Sequence, residues 1–350
     1  MDAVISFGAR APARVAMLAE CSRPWCHAGQ PWPVGSEDRA IGSDGSASSG
    51  RRVSRADPPR SAGIVEVMRI DLHTHSNASD GTESPADVAR AAHRAGLNVF
   101  ALTDHDTTAG WQEAGDTAVS LGVAFVPGME ITCTTADGIS VHMLSYLHGP
   151  DHAPLLDAIE ESRRSRLSRA HTMVDLLAQD YPISWDDVMA HVSPEATVGR
   201  PHIADALVEL GVVPNRSAAF SDMLSGRSKY YVRHMALDPV QAIKLVRAAG
   251  GVPVCAHPMA PLRGRVATPA DFNAMIDAGL AGVEVAHRDN PDESRAVLMK
   301  LAADHDLIVT GSSDYHGAGK PNRLGENSTS VRSLTRICEQ ATSGVEVRWP

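Results

Sequence analysis

Histidines and carboxylates recur at short, regular spacings along this chain. His73 and His75 stand two apart, Asp80 follows, His105 lies between Asp104 and Asp106, then come Glu130, His142 and His257, and finally Asp314 with His316 two apart. In extended chain, residues i and i+2 face the same way, so a His-x-His or Asp-x-His pair can present two ligand atoms to one ion. One such pair is weak evidence, because a lone histidine at a strand end is more often a hydrogen-bonded structural residue. Here the candidates stand at the ends of several successive strand-like runs, and that repetition points to a multinuclear metal site. Imidazole and carboxylate ligation without cysteine suits Mn, Fe or Zn. Three carboxylates against three divalent ions leave a formal charge of about +3, so a phosphate is the guest such a pocket would take. Ions so placed activate water near neutral pH and stabilise a departing oxygen, which is the chemistry of phosphoester hydrolysis.

Gathering those residues requires a fold that collects strand ends. Strand-like runs are read at 68–73, 99–103, 123–126, 140–147, 252–256, 282–286 and 307–310. Between several of them lies one punctuation: an N-cap residue, proline at the first helical position, and glycine near the C-terminal end. Ser84-Pro85 to Gly96, Asp238-Pro239 to Gly250 and Thr268-Pro269 to Gly279 all show it, and Asn290-Pro291 opens another helix. The rhythm predicts an α/β protein with a parallel sheet or barrel and helices outside, its functional groups at the C-terminal strand edge. Residues 152–236 interrupt it with helical text: 153–179 carries Leu155, Leu156, Ile159, Leu167, Val174 and Leu177, and shorter helices are read at 203–210 and 218–224. Such an insertion would cap the site and select its substrate.

Residues 1–67 differ from the rest. Gly42 to Gly50 is low-complexity, and Arg-rich and Pro-rich text without periodicity follows. The segment reads as a disordered N-terminal extension, with Met68 as the natural start of translation and a functional tail as the alternative. The domain proper then spans 68–350.

At 350 residues and 43% hydrophobic content the chain can bury one large core. A formal charge of -10 argues against duplex DNA or an anionic membrane as partner, since both repel an acidic surface. No apolar run approaches the roughly 18–20 residues that span a bilayer. Cys21, Cys26, Cys133, Cys255 and Cys338 are odd in number, scattered, and form no Cys-x-x-Cys pair, so a reducing cytoplasm is the expected setting. Composition sets no oligomeric state.

Taken together, His73-Thr74-His75 with Asp80, Thr103-Asp104-His105-Asp106, Gly128-Met129-Glu130, His142, Ala256-His257-Pro258 and Ser313-Asp314-Tyr315-His316 resemble the successive motifs of the polymerase and histidinol phosphatase (PHP) superfamily. The likeness runs from Met68 to about Ser330. It is greatest to the small phosphoesterases that include nucleoside 3',5'-bisphosphate phosphatases and 5'-to-3' exonucleases of the ribonuclease AM type. It implies a distorted (β/α)7 barrel with a trinuclear centre. His73, His75, Glu130 and Asp314 would hold one ion, Glu130 would bridge to a second held by His142 and His257, and Asp80, His105 and His316 would hold the third. Manganese is the expected metal, with iron or zinc as alternatives.

The same likeness extends to Gly199-Arg200-Pro201-His202-Ile203-Ala204 and to Gly226 through Val232 in the insertion. It implies that Arg200 clamps a substrate phosphate, with Lys229 a lesser candidate, and that the substrate is a small phosphorylated nucleotide or short RNA. Histidinol phosphate, a nucleoside monophosphate, or an inactive regulatory module are the alternatives. Asp106 beside His105, and His202 beside Arg200, are further catalytic candidates, with loop support the plainer account of each. Glu284 and His287 at the end of the sixth strand read equally as ligand support or as structure. His93, His171, His191 and His305 read as surface or structural residues. Arg163, Arg164, Arg166 and Arg169 form a basic helical stretch that reads first as a solvated helix face paired with Glu160 and Glu161, with contact to a nucleotide or short RNA as the alternative.

Overall fold

The computed structural model describes residues 68–194, 196–233 and 236–350. The expected leader at 1–67 lies outside them. The chain begins with β1 (Ile70–Asp71), α1 (Pro85–Arg94), β2 (Val99–Leu102), α2 (Trp111–Ser120), β3 (Ala124–Thr134) and β4 (Ser140–Tyr146). Four helices follow: α3 (Ala153–Leu177), α4 (Trp185–Met189), α5 (Arg200–Glu209) and α6 (Arg216–Ser221). The alternation resumes with α7 (Pro239–Ala248), β5 (Val252–Ala256), α8 (Pro269–Asp277), β6 (Gly282–Ala286), α9 (Asp292–Asp304), β7 (Ile308–Gly311) and α10 (Val331–Gln340).

The helix boundaries follow the caps. Ser84 accepts the Asp87 amide ahead of Pro85, Asp238 accepts those of Val240 and Gln241 ahead of Pro239, and Thr268 forms a capping box with Asp271 ahead of Pro269. Besides the short α4 of the insertion, two helices, α2 and α10, escape a reading by pattern. The first starts at Gly110 with no side-chain cap and carries Gly115 in its middle. The second lies beyond the last ligand motif, in polar text with only Leu334 and Ile337 as buried apolar residues.

Seven strands form one sheet in sequence order. It is nearly closed. The two-residue β1 pairs along its length only with β2, but the chain just beyond it meets the chain beyond β7: Thr74 bridges Tyr315, the His75 amide donates to the Tyr315 carbonyl at 2.8 Å, and the Thr329 amide donates to the Ile70 carbonyl at 2.9 Å. Asp71, fully buried, accepts from the Ser313 amide at 3.0 Å and the Gly325 amide at 2.9 Å across the same seam. The architecture is a distorted (β/α)7 barrel.

Two differences from the sequence reading have plain causes. The sheet is not wholly parallel, because β4 runs antiparallel to both β3 and β5. Five residues separate β3 from β4, enough for a hairpin and too few for the helical crossover that parallel strands need. The third strand also runs on to Thr134, through Pro127-Gly128. Those two residues look like a strand end in one dimension, yet Gly128 is required by close approach: a Cβ there would lie 2.8 Å from the Thr103 methyl and 3.3 Å from the Tyr146 ring.

Alternation then sorts the strands into two faces. Val99 and Ala101, Ala124 and Val126, Leu144 and Tyr146, and Val252, Val254 and Ala256 pack together inside the barrel. Their neighbours Phe100, Leu102 and Phe125 pack under α1 and α2, while Met129, Ile131, Val141, Met143 and Cys255 join residues of α7 and α8 outside. By the same parity Glu130 and His142 point inward at the upper end of the barrel. The helices α3, α5 and α6 share a separate apolar cluster with Met173, Leu177, Ile203, Leu207 and Leu224 at its centre.

Candidate metal centre

Glu130 is the hub. Its Oε2 lies 3.1 Å from His73 Nε2, 3.0 Å from His75 Nε2 and 3.5 Å from His105 Nε2. Its Oε1 lies 2.7 Å from His142 Nδ1 and 3.2 Å from His257 Nε2. Asp314 Oδ1 is 3.5 Å from His73 Nε2 and 3.4 Å from His75 Nε2. On the far side of His75, Asp80 Oδ1 stands 3.1 Å from His316 Nε2 and 3.7 Å from His75 Nδ1, and Asp80 Oδ2 stands 3.9 Å from His105 Nε2. All nine residues singled out by spacing converge on one end of the barrel.

Three sets within this group have ligand atoms that all lie within 4.8 Å of one another: His73, His75, Glu130 and Asp314; His75, Asp80 and His316; and His105, Glu130 and His142. The cluster can therefore hold metal ions. The first set is the foursome that the motif resemblance implies for one ion. His105 sits between the other two positions, close to Glu130 and His142 as well as to Asp80. The fit to cations is visible in atoms left over: His75 Nδ1 and His316 Nε2 are buried, face Asp80, and make no hydrogen bond. Donor atoms aimed at a shared carboxylate without bonding it are what an ion between them requires.

The electrostatics are consistent. Burial alone would push Glu130, Asp80 and Asp314 up, yet the imidazoles around Glu130 and Asp80, and Lys320 and Arg263 beside Asp314, hold all three well below the usual carboxylate range. Burial drives His105 and His257 well below the ordinary histidine value and His316 to about 4, so these rings are neutral, as ligation needs. His73 and His75 go the other way. Burial opposes their charge, but Glu130 and Asp314, with Glu284 beside His73 and Asp80 beside His75, raise His73 strongly and His75 to about 9. The same surplus of negative charge would welcome a cation.

Backbone strain gathers here too. Asp106, His257 and Asp314 adopt φ of 53°, 29° and 55°, a left-handed region costly for residues with a Cβ. Each sits where the chain leaves a strand and must turn a side chain back over the barrel.

Residues behind the ligand set hold it in place. Glu284 Oε1 is 3.1 Å from His73 Nδ1 while its Oε2 accepts the His257 amide at 2.8 Å, so one inward carboxylate on β6 orients the His73 ring and fixes the His257 backbone. Asp104 accepts from the Ser76 amide and hydroxyl at 2.7 Å and from the Ser79 hydroxyl at 2.6 Å, which fixes the loop that carries Asp80. His287 is fully buried with Nε2 3.6 Å from Asp314 Oδ2.

The other candidates divide. Asp106 is buried; its Oδ1 accepts the Thr132 amide at 3.0 Å and its Oδ2 lies 3.0 Å from Arg166 Nε. Arg200, at the first turn of α5, donates to the Leu224 carbonyl at 2.8 Å and lies over the rings of Phe220 and Tyr231. His202 accepts the Gly199 amide at 3.1 Å, which closes the first turn of α5. Lys229 is 69% exposed, paired with Asp180 at 2.8 Å and set over Tyr230; these contacts keep it on the surface and not at the ligand set.

The basic stretch on α3 is misread as a uniformly solvated face. Arg164 is exposed, but the Arg166 side chain is only 12% exposed, ion-paired with Asp106 and donating to the Thr132 hydroxyl, and Arg169 donates to the Val232 carbonyl and lies 5.1 Å over Tyr231. Their spacing by three places both on one helical face, which is the signal sequence reasoning could have used. Arg263 and Lys320 were not singled out at all. Both reach Asp314 Oδ2, at 2.5 and 3.0 Å. His171, stacked on Trp185, and His191, paired with Glu209, are surface features of the helical insertion.

Known proteins resemble this chain over most of its length. The profile described as the PHP domain matches residues 71–209. A 5'-3' exoribonuclease of Haemophilus influenzae is 32% identical over 278 residues, covering 78% of this chain and 99% of that relative. A 3',5'-nucleoside bisphosphate phosphatase of Chromobacterium violaceum is 31% identical over 288 residues, 81% of this chain and 98% of its own length. Among solved structures, a Bifidobacterium adolescentis protein assigned to the metal-dependent phosphoesterases superposes with a TM-score of 0.77 at 44% identity, covering 82% of this chain and 98% of its own. With relatives matched nearly end to end and a cluster able to hold metal at the mouth of the barrel, the chain belongs to the PHP domain family and is a metal-dependent phosphoesterase.

Proposed function

We propose that this phosphoesterase hydrolyses phosphomonoesters of small nucleotides that carry a second phosphate, nucleoside 3',5'-bisphosphates first among them, and that it also trims short 5'-phosphorylated RNA from its 5' end. The observation that carries this reading is a group of guanidiniums beside the ligand cluster. Arg169 and Arg200 both lie over the Tyr231 ring, at 5.1 and 5.6 Å, and burial together with like-charge neighbours lowers the pKa of each, Arg169 to about 10. Arg166 adds its charge to the group and pairs with Asp106, whose amide donates to the Glu130 carbonyl at 3.0 Å. Positive charge gathered at such cost suits a phosphate held at a fixed offset from the one being cleaved. The names of the two curated relatives support both substrate classes.

Three divalent ions fit the ligand set: His73, His75, Glu130 and Asp314 for one, Glu130 with His142 and His257 for a second, and Asp80, His105 and His316 for the third. Manganese is the first choice, with iron or zinc as alternatives. When bound, such ions activate water and neutralise charge on the phosphoryl oxygens and the leaving oxygen. The protein groups do the rest. Glu284, Asp104 and Asp71 hold the ligand loops, Arg200 with its neighbours anchors the second phosphate, and the 152–236 insertion covers the site. Asp106 orients Arg166 and is placed to relay a proton near His105. The expected setting is the cytoplasm; among the described residues no helix is long and apolar enough to cross a membrane.

The test is phosphate release in Mn from a nucleoside bisphosphate, a nucleoside monophosphate, histidinol phosphate and a 5'-phosphorylated oligoribonucleotide. The bisphosphate should lead; equal rates on the monophosphate would sink the substrate assignment. Arg200→Ala should lower kcat/KM for the bisphosphate by about 10- to 100-fold, the worth of a lost charged hydrogen bond, with metal content intact. Unchanged kinetics would remove Arg200 from the site.

A further inference from the structure

The loop between β5 and α8 contains a single 3-10 turn, Pro261–Arg263, whose two tips point opposite ways. Leu262 is 92% exposed, while the Arg263 side chain turns inward and is 29% exposed. Its guanidinium makes three contacts. Nε donates to Asp289 Oδ2 at 2.8 Å, Nη2 donates to Asp314 Oδ2 at 2.5 Å, and Nη1 lies 3.0 Å from His257 Nε2. A guanidinium has no acceptor, so in the last contact the imidazole must offer its lone pair. That is the lone pair by which His257 would bind an ion, and one nitrogen cannot serve both.

The anchor on Asp289 lies outside the ligand set and grips only Nε. An arginine lifted from His257 therefore stays tethered at the rim with both Nη groups available. Lys320 Nζ, 3.0 Å from Asp314 Oδ2, keeps that carboxylate partnered when the guanidinium withdraws. The planar fork of donors matches two oxygens of a phosphoryl group, and its charge is permanent.

We infer that Arg263 is a catalytic residue with two alternating partners: it caps His257 before ions enter, and once they are bound it donates to the non-bridging oxygens of the phosphoryl group being hydrolysed. This rests on the ligand assignment proposed above. It adds a cation on the side of the cluster facing His257, separate from the Arg200 group, which faces Asp106.

The full chain and its Arg263→Ala, Arg263→Lys and Asp289→Asn variants would be stripped of metal and titrated with Mn against a chromophoric chelator. Each would then be assayed for phosphate release from a nucleoside bisphosphate and for inhibition by inorganic phosphate. Removing the cap should tighten Mn binding in Arg263→Ala by about 3- to 10-fold, the worth of one modest hydrogen bond. The same variant should lose about 100- to 1,000-fold in kcat, as when an oxyanion donor is deleted, and bind inorganic phosphate more weakly. Arg263→Lys should recover part of the rate, and Asp289→Asn, which loosens the tether, should fall between. Mn affinity in Arg263→Ala equal to or weaker than wild type overturns the capping role, and a wild-type rate overturns the catalytic one. If Arg263→Ala does not fold, the lysine and asparagine variants decide by the same readouts. A wild-type chain that releases no phosphate would sink the substrate reading, while the Mn titration would still test the cap.

Discussion

A single carboxylate, Glu284, holds two histidines in this centre, because one oxygen faces the His73 ring at Nδ1 and the other accepts the His257 backbone amide. Glu284→Gln keeps the shape and removes the charge that favours metal-ready imidazoles. It should weaken Mn binding by about 10- to 100-fold, the usual cost of losing a group that orients a ligand. A chelator-competition titration checks this, and wild-type affinity would show that Glu284 serves packing alone. Away from the site, His148 gives a pH signature. It is buried with Nδ1 2.8 Å from the Ser145 hydroxyl and its ring edge-on to Trp111, and burial lowers its pKa from 6.5 to about 4. Between those values the unfolded chain binds a proton that the folded chain does not, so stability is lost as pH falls from 6.5 toward 4, by up to about 3 kcal/mol. His148→Gln should flatten that part of the acid limb. Urea midpoints for both proteins at pH 7.5 and 4.5 measure the difference, and parallel declines would refute it.

Elements place these residues through parity and punctuation. Because β4 runs antiparallel, His142 enters the centre from the opposite chain direction to Glu130, across the register that pairs Thr132 with His142. The ends of the outer helices matter as much. Gly250 follows α7 with φ of 72°, and a Cβ there would lie 2.7 Å from Ser343 Cα, so the C-terminal segment packs directly on that turn. Gly250→Ala therefore meets both an unfavourable conformation and a clash with backbone. It should cost more than about 1–2 kcal/mol, read as a lower urea midpoint with unchanged Mn affinity. A neutral result would mean that the 341–345 segment moves aside freely.

At the scale of the whole molecule, the chain carries a net charge of -10, yet it buries imidazoles and carboxylates together at one end of the barrel, with partly buried arginines beside them. Concentrated like charges of either sign oppose folding unless a counter-charge arrives, and ions that bind only the folded state add stability by mass action. Saturating Mn at a hundred times its dissociation constant should add about 2.7 kcal/mol per independent site. Chelation should then lower Tm by several degrees, at about 2–4 °C per kcal/mol for a domain of this size, and added Mn should restore it. A melting curve indifferent to both chelator and Mn would count against ions as part of the fold.

The family, the barrel class and the convergence of nine polar residues were legible in the sequence, because strand period and helix caps are local rules and the ligands repeat at strand ends. His73 with His75, and Asp314 with His316, announce themselves by a spacing of two. What tertiary structure decided has no local signal. The inversion of β4 depends on which strands become neighbours, and the extension of β3 through Pro127-Gly128 depends on Thr103 and Tyr146 crowding one glycine. The burial of Arg166 and Arg169 depends on where α3 lands relative to Asp106 and Tyr231. Arg263 lies in a loop with no pattern, 51 residues from the Asp314 carboxylate it meets. Long-range contacts choose the partners of charged side chains, and only the folded chain brings those partners together.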